Sequence, residues 1–322
     1  MRAIIYTQYG SPDVLRLTEV ARPVPKDDEV LLRICAASVN PLDWHFMRGE
    51  PYVLRVAAGL RTPKKTHLGA DVAGVVDAVG KNVTRFQPGD EVFGVCRGAF
   101  AEYACAPERG LVPKPANVTF EQAAAVPVAA LTALQGLRDK GQIQPGQRVL
   151  INGAAGGVGT FAVQIAKVLG AEVTGVCGTT NVDMVRSIGA SHVVDYTRED
   201  FTANGQRYDL IFDLIGNHSL SDCRRALTIR GTLVLAGGSD TGKWLGPLAG
   251  LLEVVVLSWF VSQKLRNFLA HIGTDDLMVM RELLETGKVT PVIDRTYPLS
   301  EVAAAIRYLE EGHARGKVVI TP

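Results

Sequence analysis

The sequence predicts an α/β protein in which a doubly wound parallel sheet is set into an irregular, mostly antiparallel β domain. Three observations carry that prediction. Residues 1 to 118 hold short β-type runs broken by turns, and from 119 onward helical stretches alternate with short Val/Ile/Leu runs. One of those later runs passes through a glycine-rich turn directly into a helix. With 322 residues, 47% of them hydrophobic, the chain can bury two cores.

In the first region the runs are Ala3 to Tyr6, Glu29 to Ala36, Val72 to Val79, Glu91 to Val95 and Phe100 to Ala106. They are separated by turn signals such as Gly80-Lys81-Asn82, Pro88-Gly89-Asp90 and Arg97-Gly98. Helical stretches follow at Phe120 to Lys140 and Thr160 to Leu169, between predicted strands Arg148 to Asn152, Glu172 to Cys177, His192 to Asp195, Leu210 to Leu214 and Thr232 to Ala236. Each strand ends in Gly or polar residues, where open α/β sheets place their ligand-binding loops. The chain closes with a predicted helix Asp275 to Thr286, a strand Val289 to Asp294, a helix Ser300 to Glu311 with Ser300 as N-cap, and a strand Lys317 to Ile320.

The sharpest functional signal is Val149-Leu150-Ile151-Asn152-Gly153-Ala154-Ala155-Gly156-Gly157-Val158-Gly159 followed by helical spacing. Gly156 lets a diphosphate approach the backbone, Gly159 lets the helix pack closely on the strand, and the helix N-terminus offers free N–H groups to an anion. Ala154 stands where the G-x-G-x-x-G pattern has its first glycine. The second strand ends in Cys177-Gly178-Thr179-Thr180-Asn181, with no carboxylate to hold a ribose 2′-hydroxyl. That predicts NADPH over NADH, with hydrogen bonds from Thr179, Thr180 and Asn181 and charge from Arg186 or Arg198.

A formal net charge of +1 gives no footprint for nucleic acid or an anionic membrane and points to a small-molecule partner. Five scattered cysteines, Cys35, Cys96, Cys105, Cys177 and Cys223, show no zinc-knuckle or dithiol spacing and predict reduced thiols in a cytoplasmic protein. The N-terminus lacks the pattern of a secretory signal. Trp244 to Val261 is almost wholly apolar. It reads first as a buried or interface helix and second as a peripheral membrane contact, because Pro247 and Glu253 count against a span.

Six motifs in order give the chain a family resemblance over essentially its whole length. They are Ala37-Ser38-Val39-Asn40-Pro41-Leu42-Asp43, Gly69-Ala70-Asp71-Val72-Ala73-Gly74-Val75-Val76, Pro88-Gly89-Asp90-Glu91-Val92-Phe93-Gly94, Ala101-Glu102-Tyr103, Leu131-Thr132-Ala133 and the AAGGVG turn. On these the chain resembles the medium-chain dehydrogenase/reductase superfamily, in its zinc-independent, quinone oxidoreductase-like branch. The resemblance implies a GroES-like catalytic domain over 1–118, a Rossmann NADP-binding domain over 119–272, and a return to the catalytic domain over 273–322. Zinc-dependent relatives carry a cysteine at the position of Asn40, a histidine at Ala70 and a further cysteine near Val126, so only Asp71 persists and no metal site is expected.

Without a Lewis acid, an enone or quinone is an easier hydride acceptor than an isolated ketone, because charge delocalises onto the distant oxygen. The resemblance implies that Asn40 orients the nicotinamide end or the substrate carbonyl and that Thr132 contacts the nicotinamide region. His45 and Tyr52 are candidate proton donors, with water as the alternative. Asp43 is a candidate helix cap and Asp71 a candidate buried hydrogen-bonding group. Tyr196, Ile215-Gly216, Gly237-Gly238 and Phe268-Leu269-Ala270 are expected around the adenosine, ribose and nicotinamide. An alcohol dehydrogenase, and a non-catalytic relative of the crystallin or RNA-binding kind, are the competing functions. A homodimer is the expected assembly.

Overall fold

In a computed structural model, residues 1–236 and 262–322 are described. Gly237-Gly238 and the apolar 244–261 stretch lie outside them. Two compact units emerge, one of Met1–Leu131 with Ile272–Pro322 and one of Thr132–His271. Residues 119–131 therefore group with the first unit.

The first unit opens with an antiparallel pair, β1 (Arg2–Ile5) and β2 (Arg16–Glu19). Its spine is β3 (Glu29–Val39), three residues longer than its apolar run suggested because it goes on through Ala37, Ser38 and Val39. At Pro41 the chain turns into α1 (Pro41–Arg48), since proline suits the first helical position, and Gly49 ends that helix in the left-handed region at φ 61°. After α2 (Leu54–Ala58) come β4 (Asp71–Val79), β5 (Glu91–Val95), β6 (Tyr103–Pro107) and β7 (Leu111–Pro113). β4 and β6 both pair antiparallel with β3, while β5 and β7 extend the sheet from β4.

The expected helix Phe120 to Lys140 is broken into α3 (Phe120–Ala124), α4 (Pro127–Gln135) and a wider turn over Gly136–Lys140. Pro127 is the cause, because it lacks an N–H and disfavours helical backbone at Val126. Thr119 and Gln122 form a reciprocal cap at the start of α3, each accepting the other's backbone N–H at 3.2 and 3.0 Å.

The second unit alternates β8 (Arg148–Asn152), α5 (Gly157–Val168), β9 (Glu172–Cys177), α6 (Val182–Ser187), β10 (His192–Asp195), β11 (Tyr208–Asp213), α7 (Leu220–Ala226), β12 (Leu227–Leu235) and β13 (Lys264–Asn267). All pairings are parallel in the order β10-β9-β8-β11-β12-β13. The order reverses between β8 and β11, which is the switch point where such sheets bind ligands. The middle of α5, Gly159 to Ala166, is buried throughout. β13 carries Lys-Leu-Arg-Asn with a single buried residue, so its pairing with β12, rather than its own pattern, makes it a strand.

The chain then returns to the first unit with α8 (Thr274–Glu285), β14 (Ile293–Pro298), α9 (Val302–Glu310) and β15 (Lys317–Thr321). β14 begins four residues later than the apolar run at Val289, beyond Pro291, which offers no ladder donor. Ser300 is not the N-cap. A 3₁₀ turn over Leu299–Glu301 precedes α9 and moves the cap to Glu301. β15 pairs antiparallel with β3, Val318 opposite Val39, which sets Lys317 beside Asn40.

Candidate active site

The glycine turn of the second unit begins at Gly153, whose φ of 89° is costly for any residue with a Cβ. Gly156 is extended at the N-cap of α5, and no side chain caps the helix, so its first N–H groups are left for a ligand. A Cβ built at Gly159 would stand 2.0 Å from the Gly153 carbonyl oxygen. Among the described residues a Cβ at Gly156 would meet only that oxygen, at 3.5 Å. Gly159 is thus closed off by backbone, whereas a Cβ at Gly156 would be accommodated. Ala154 replaces the pattern's first glycine because its methyl lies against Gly175 of β9, where a Cβ would come within 3.0 Å of it.

At the end of β9, Gly178, Thr179, Thr180 and Asn181 form a turn leading into α6, and Asn181 Oδ1 is buried without a partner among the described residues. Tyr196 lies against this turn, its hydroxyl 3.1 Å from where a Gly178 Cβ would stand. The end of β9 carries no carboxylate of its own, as expected, but one reaches this turn from the neighbouring strand. Asp195, from the end of β10, accepts the Thr179 hydroxyl at 2.6 Å and pairs with Arg198 at 3.4 Å. The Thr179 hydroxyl bond, first among several, holds Asp195 below the usual carboxylate range. Arg186 and Arg198 line a cavity of about 450 Å³ together with Thr179, Asp183, Asp195 and Glu199. Both expected arginines are therefore present, but acids share the lining.

At the switch point stands a residue that sequence reasoning missed. Asp213 is buried at the end of β11, where its Oδ1 accepts Asn152 Nδ2 at 2.8 Å and the N–H groups of Ile215 and Gly216 at 3.0 and 2.9 Å. It ties the tips of β8 and β11 together and shapes the expected Ile215-Gly216 turn. Its Oδ2 is buried with no partner among the described residues. Ile215 and Leu269 are exposed, Thr132 is half-buried on α4, and Gly237 lies outside the described residues. A separate cavity of about 720 Å³, lined by Gln144, Gln147, Thr228, Arg230 and Lys264, opens at the opposite, amino-terminal edge of the sheet.

In the first unit Ser38, Asn40, Asp43, Asp71 and Lys317 form one buried polar cluster. Asp71 Oδ2 accepts Ser38 Oγ at 2.7 Å and Asn40 Nδ2 at 2.8 Å, and Asp71 Oδ1 accepts the Val128 N–H at 3.0 Å. Lys317 Nζ donates to Asn40 Oδ1 at 2.6 Å and the Val39 carbonyl at 3.2 Å, and lies 3.4 Å from Asp71 Oδ2. Asp43 accepts the N–H groups of Asn40 and Gly69 at 2.8 and 3.1 Å, so it caps α1 from its third residue. Burial pushes Asp43 up to about 7 and Lys317 below the usual amine range. Asp71 is the buried hydrogen-bonding group the sequence suggested. Lys317 was missed, because it lies 277 residues from Asn40 and belongs to no local motif.

His45 Nδ1 is 2.8 Å from the Glu50 carbonyl oxygen, which can only accept, so that nitrogen carries the proton. Tyr52 and Tyr9 flank the Arg55 guanidinium at 4.6 and 4.5 Å from their ring centroids. Arg55 in turn donates to the Gly49 carbonyl at 2.9 Å and holds the loop after α1. All five cysteines are free, and burial raises every thiol pKa, leaving none poised as a thiolate. Among the described residues no group of three or more His, Cys, Asp or Glu side chains converges, and no helix is long and apolar enough to cross a membrane.

Two family models match the chain: an alcohol dehydrogenase GroES-like domain over residues 26–116 and a zinc-binding dehydrogenase domain over 188–320. A 2-methylene-furan-3-one reductase of Solanum lycopersicum is 37% identical over 100% of this chain and 79% of its own length. The chain belongs to the medium-chain dehydrogenase/reductase superfamily. An NADPH-dependent alkenal/one oxidoreductase of Arabidopsis thaliana is 35% identical over 100% of this chain and 80% of its own. Among solved members of the superfamily, a quinone oxidoreductase of Coxiella burnetii superposes with TM-score 0.87 at 30% identity, covering 100% of this chain and 99% of that one. A quinone oxidoreductase of Escherichia coli in complex with NADPH gives 0.85 at 25% identity, with 100% of both chains covered.

These relatives correct the cytoplasmic expectation. Several of them carry names that place them in chloroplasts or mitochondria. Free thiols do not discriminate among reducing compartments, so the cysteines never carried that inference.

Proposed function

We propose that this chain is an NADPH-dependent reductase that delivers a hydride to a quinone or an α,β-unsaturated carbonyl without a metal. The observation that supports it most is the N-terminus of α5, which no side chain caps and where Gly156 is unobstructed while Gly159 is packed against the Gly153 carbonyl. Relatives named as NADPH-dependent alkenal/one oxidoreductase and quinone oxidoreductase support the reaction class. In this reading the unit of Met1–Leu131 with Ile272–Pro322 is the GroES-like catalytic domain and Thr132–His271 the NADP-binding domain.

Gly156, Gly157, Val158 and Gly159 would hold the diphosphate through backbone N–H groups, with Ala154 packing the turn from beneath. Gly178, Thr179, Thr180, Asn181 and Tyr196 would receive the adenosine, and Arg186 and Arg198 its 2′-phosphate. Ile215, Gly237, Leu269 and Thr132 are assigned to the ribose and nicotinamide. NADPH bound there supplies the hydride.

Asn40 is assigned to the nicotinamide carboxamide through the second lone pair of Oδ1, because its Nδ2 is committed to Asp71 and poorly placed to polarise a substrate carbonyl. His45, Tyr52 or a water molecule is assigned the proton that completes the reduction. The Lys317 ammonium, held between Asn40 and Asp71, would repel a second cation, which favours metal-free chemistry at this site. A homodimer is the proposed assembly, with light scattering as its check. Turnover of NADPH on a panel of enones, quinones, simple ketones and alcohols tests the reading. Consumption on enones or quinones supports it; activity confined to alcohols and simple ketones, with stoichiometric zinc, rejects it.

A further inference from the structure

Lys317 is ionisable, buried, far in sequence from every expected site residue, and unused by any motif. It is the first residue of β15, and the pairing of β15 with β3 delivers its side chain into the Asn40 turn. A buried lysine without partners is expensive, and this one is surrounded by acceptors: Asn40 Oδ1 at 2.6 Å, the Val39 carbonyl at 3.2 Å and Asp71 Oδ2 at 3.4 Å. An ammonium only donates, so whichever Asn40 side-chain atom faces it must be the oxygen. The amide nitrogen is thereby turned to Asp71, 2.8 Å away. Ammonium and carboxylate grip opposite ends of one carboxamide, so a flip of that group would set donor against donor and acceptor against acceptor.

We infer that Lys317 is a positioning residue for the proposed reductase, fixing the Asn40 carboxamide in the one orientation that presents an acceptor for the nicotinamide. This rests on the assignment of Asn40 made above. Charge balance with Asp71 alone would need no contact to Asn40, yet the Asn40 contact is the shortest of the three.

The experiment uses Lys317→Met, which keeps the unbranched stem and removes the donor, and the charge-neutral pair Lys317→Met with Asp71→Asn. Positioning predicts that kcat for enone reduction falls about tenfold or more in both, while the dissociation constant for NADPH stays within about threefold of wild type. Unchanged kcat in a folded Lys317→Met protein, or in the folded pair, overturns the inference. Should the single variant fail to fold, the pair carries the test alone.

A second readout is independent of turnover. In ¹⁵N-labelled wild-type protein the Asn40 side-chain amide, identified by its loss in Asn40→Asp, is expected to exchange slowly, and in Lys317→Met to shift and exchange at least about tenfold faster. An amide signal unmoved by Lys317→Met refutes the inference even if no substrate is ever found. Absence of turnover on every enone and quinone, with the amide signal moving as expected, instead refutes the proposed function.

Discussion

The glycine turn of the second unit and the polar cluster of the first are built by opposite means. The turn uses backbone: a positive φ at Gly153, an uncapped helix start at Gly156 and a close approach at Gly159. The cluster uses side chains from β3, α1, β4 and β15, brought together by strand pairing from positions as far apart as 40 and 317. Backbone geometry demands particular residues at neighbouring positions and so writes a local motif, whereas side-chain convergence leaves single letters scattered along the chain. A substitution in the turn should therefore act on NADPH first, and one in the cluster on stability or turnover.

The sharpest contrast is expected from Gly159→Val. Its Cβ cannot coexist with the Gly153 carbonyl at 2.0 Å, so the turn must move, and NADPH affinity is expected to fall on the order of a hundredfold or more in fluorescence titration, together with a lowered unfolding midpoint. Asp71→Ala strands the Lys317 ammonium and several donors in the other region. Chemical denaturation is expected to show a loss of about 3–5 kcal/mol, with NADPH affinity little changed in the fraction still folded. Should Asp71→Ala abolish NADPH binding while the protein stays folded, the division of labour drawn here is wrong.

Three smaller effects refine the picture. Gly156→Ala places a methyl in open space, so stability should hold while NADPH affinity drops about tenfold, the methyl taking room meant for the diphosphate. Asp43 supplies a pH handle. Its folded pKa, raised to about 7 chiefly by burial, lies above an unfolded value of about 3.9, so ionisation is harder in the folded protein. Its contribution to stability is accordingly greatest below the unfolded value, declines as pH rises toward 7 and levels off above it. Subtracting the pH profile of Asp43→Asn from that of wild type should isolate this decline, and a flat difference would remove it. Least of all, Arg198→Ala should weaken NADPH a few-fold and leave NADH unchanged, since Arg198 is largely exposed and already shared with Asp195.

The same contrast explains what could be read from the sequence. The parallel sheet and its glycine turn were legible because apolar runs and a contiguous motif encode them, and Ala154 looked like a defect only because its partner, Gly175, lies on the next strand. β13 was not legible, since Lys-Leu-Arg-Asn has no strand pattern of its own. Asn40 and Asp71 were found through motifs. Lys317, Asp213 and the Asp195–Thr179 bond were not, because each acts through a neighbour that only the folded sheet supplies. Pro127 and Pro291 moved element boundaries that apolar periodicity alone could not place.

The most direct measurement follows deuterium from the nicotinamide C4 of labelled NADPH into an enone, using protein dialysed against a chelator. The account predicts one deuterium on the carbon β to the carbonyl, at a rate unaffected by chelation. Deuterium on the carbonyl carbon, or transfer that stops with chelation and resumes with zinc, would contradict it.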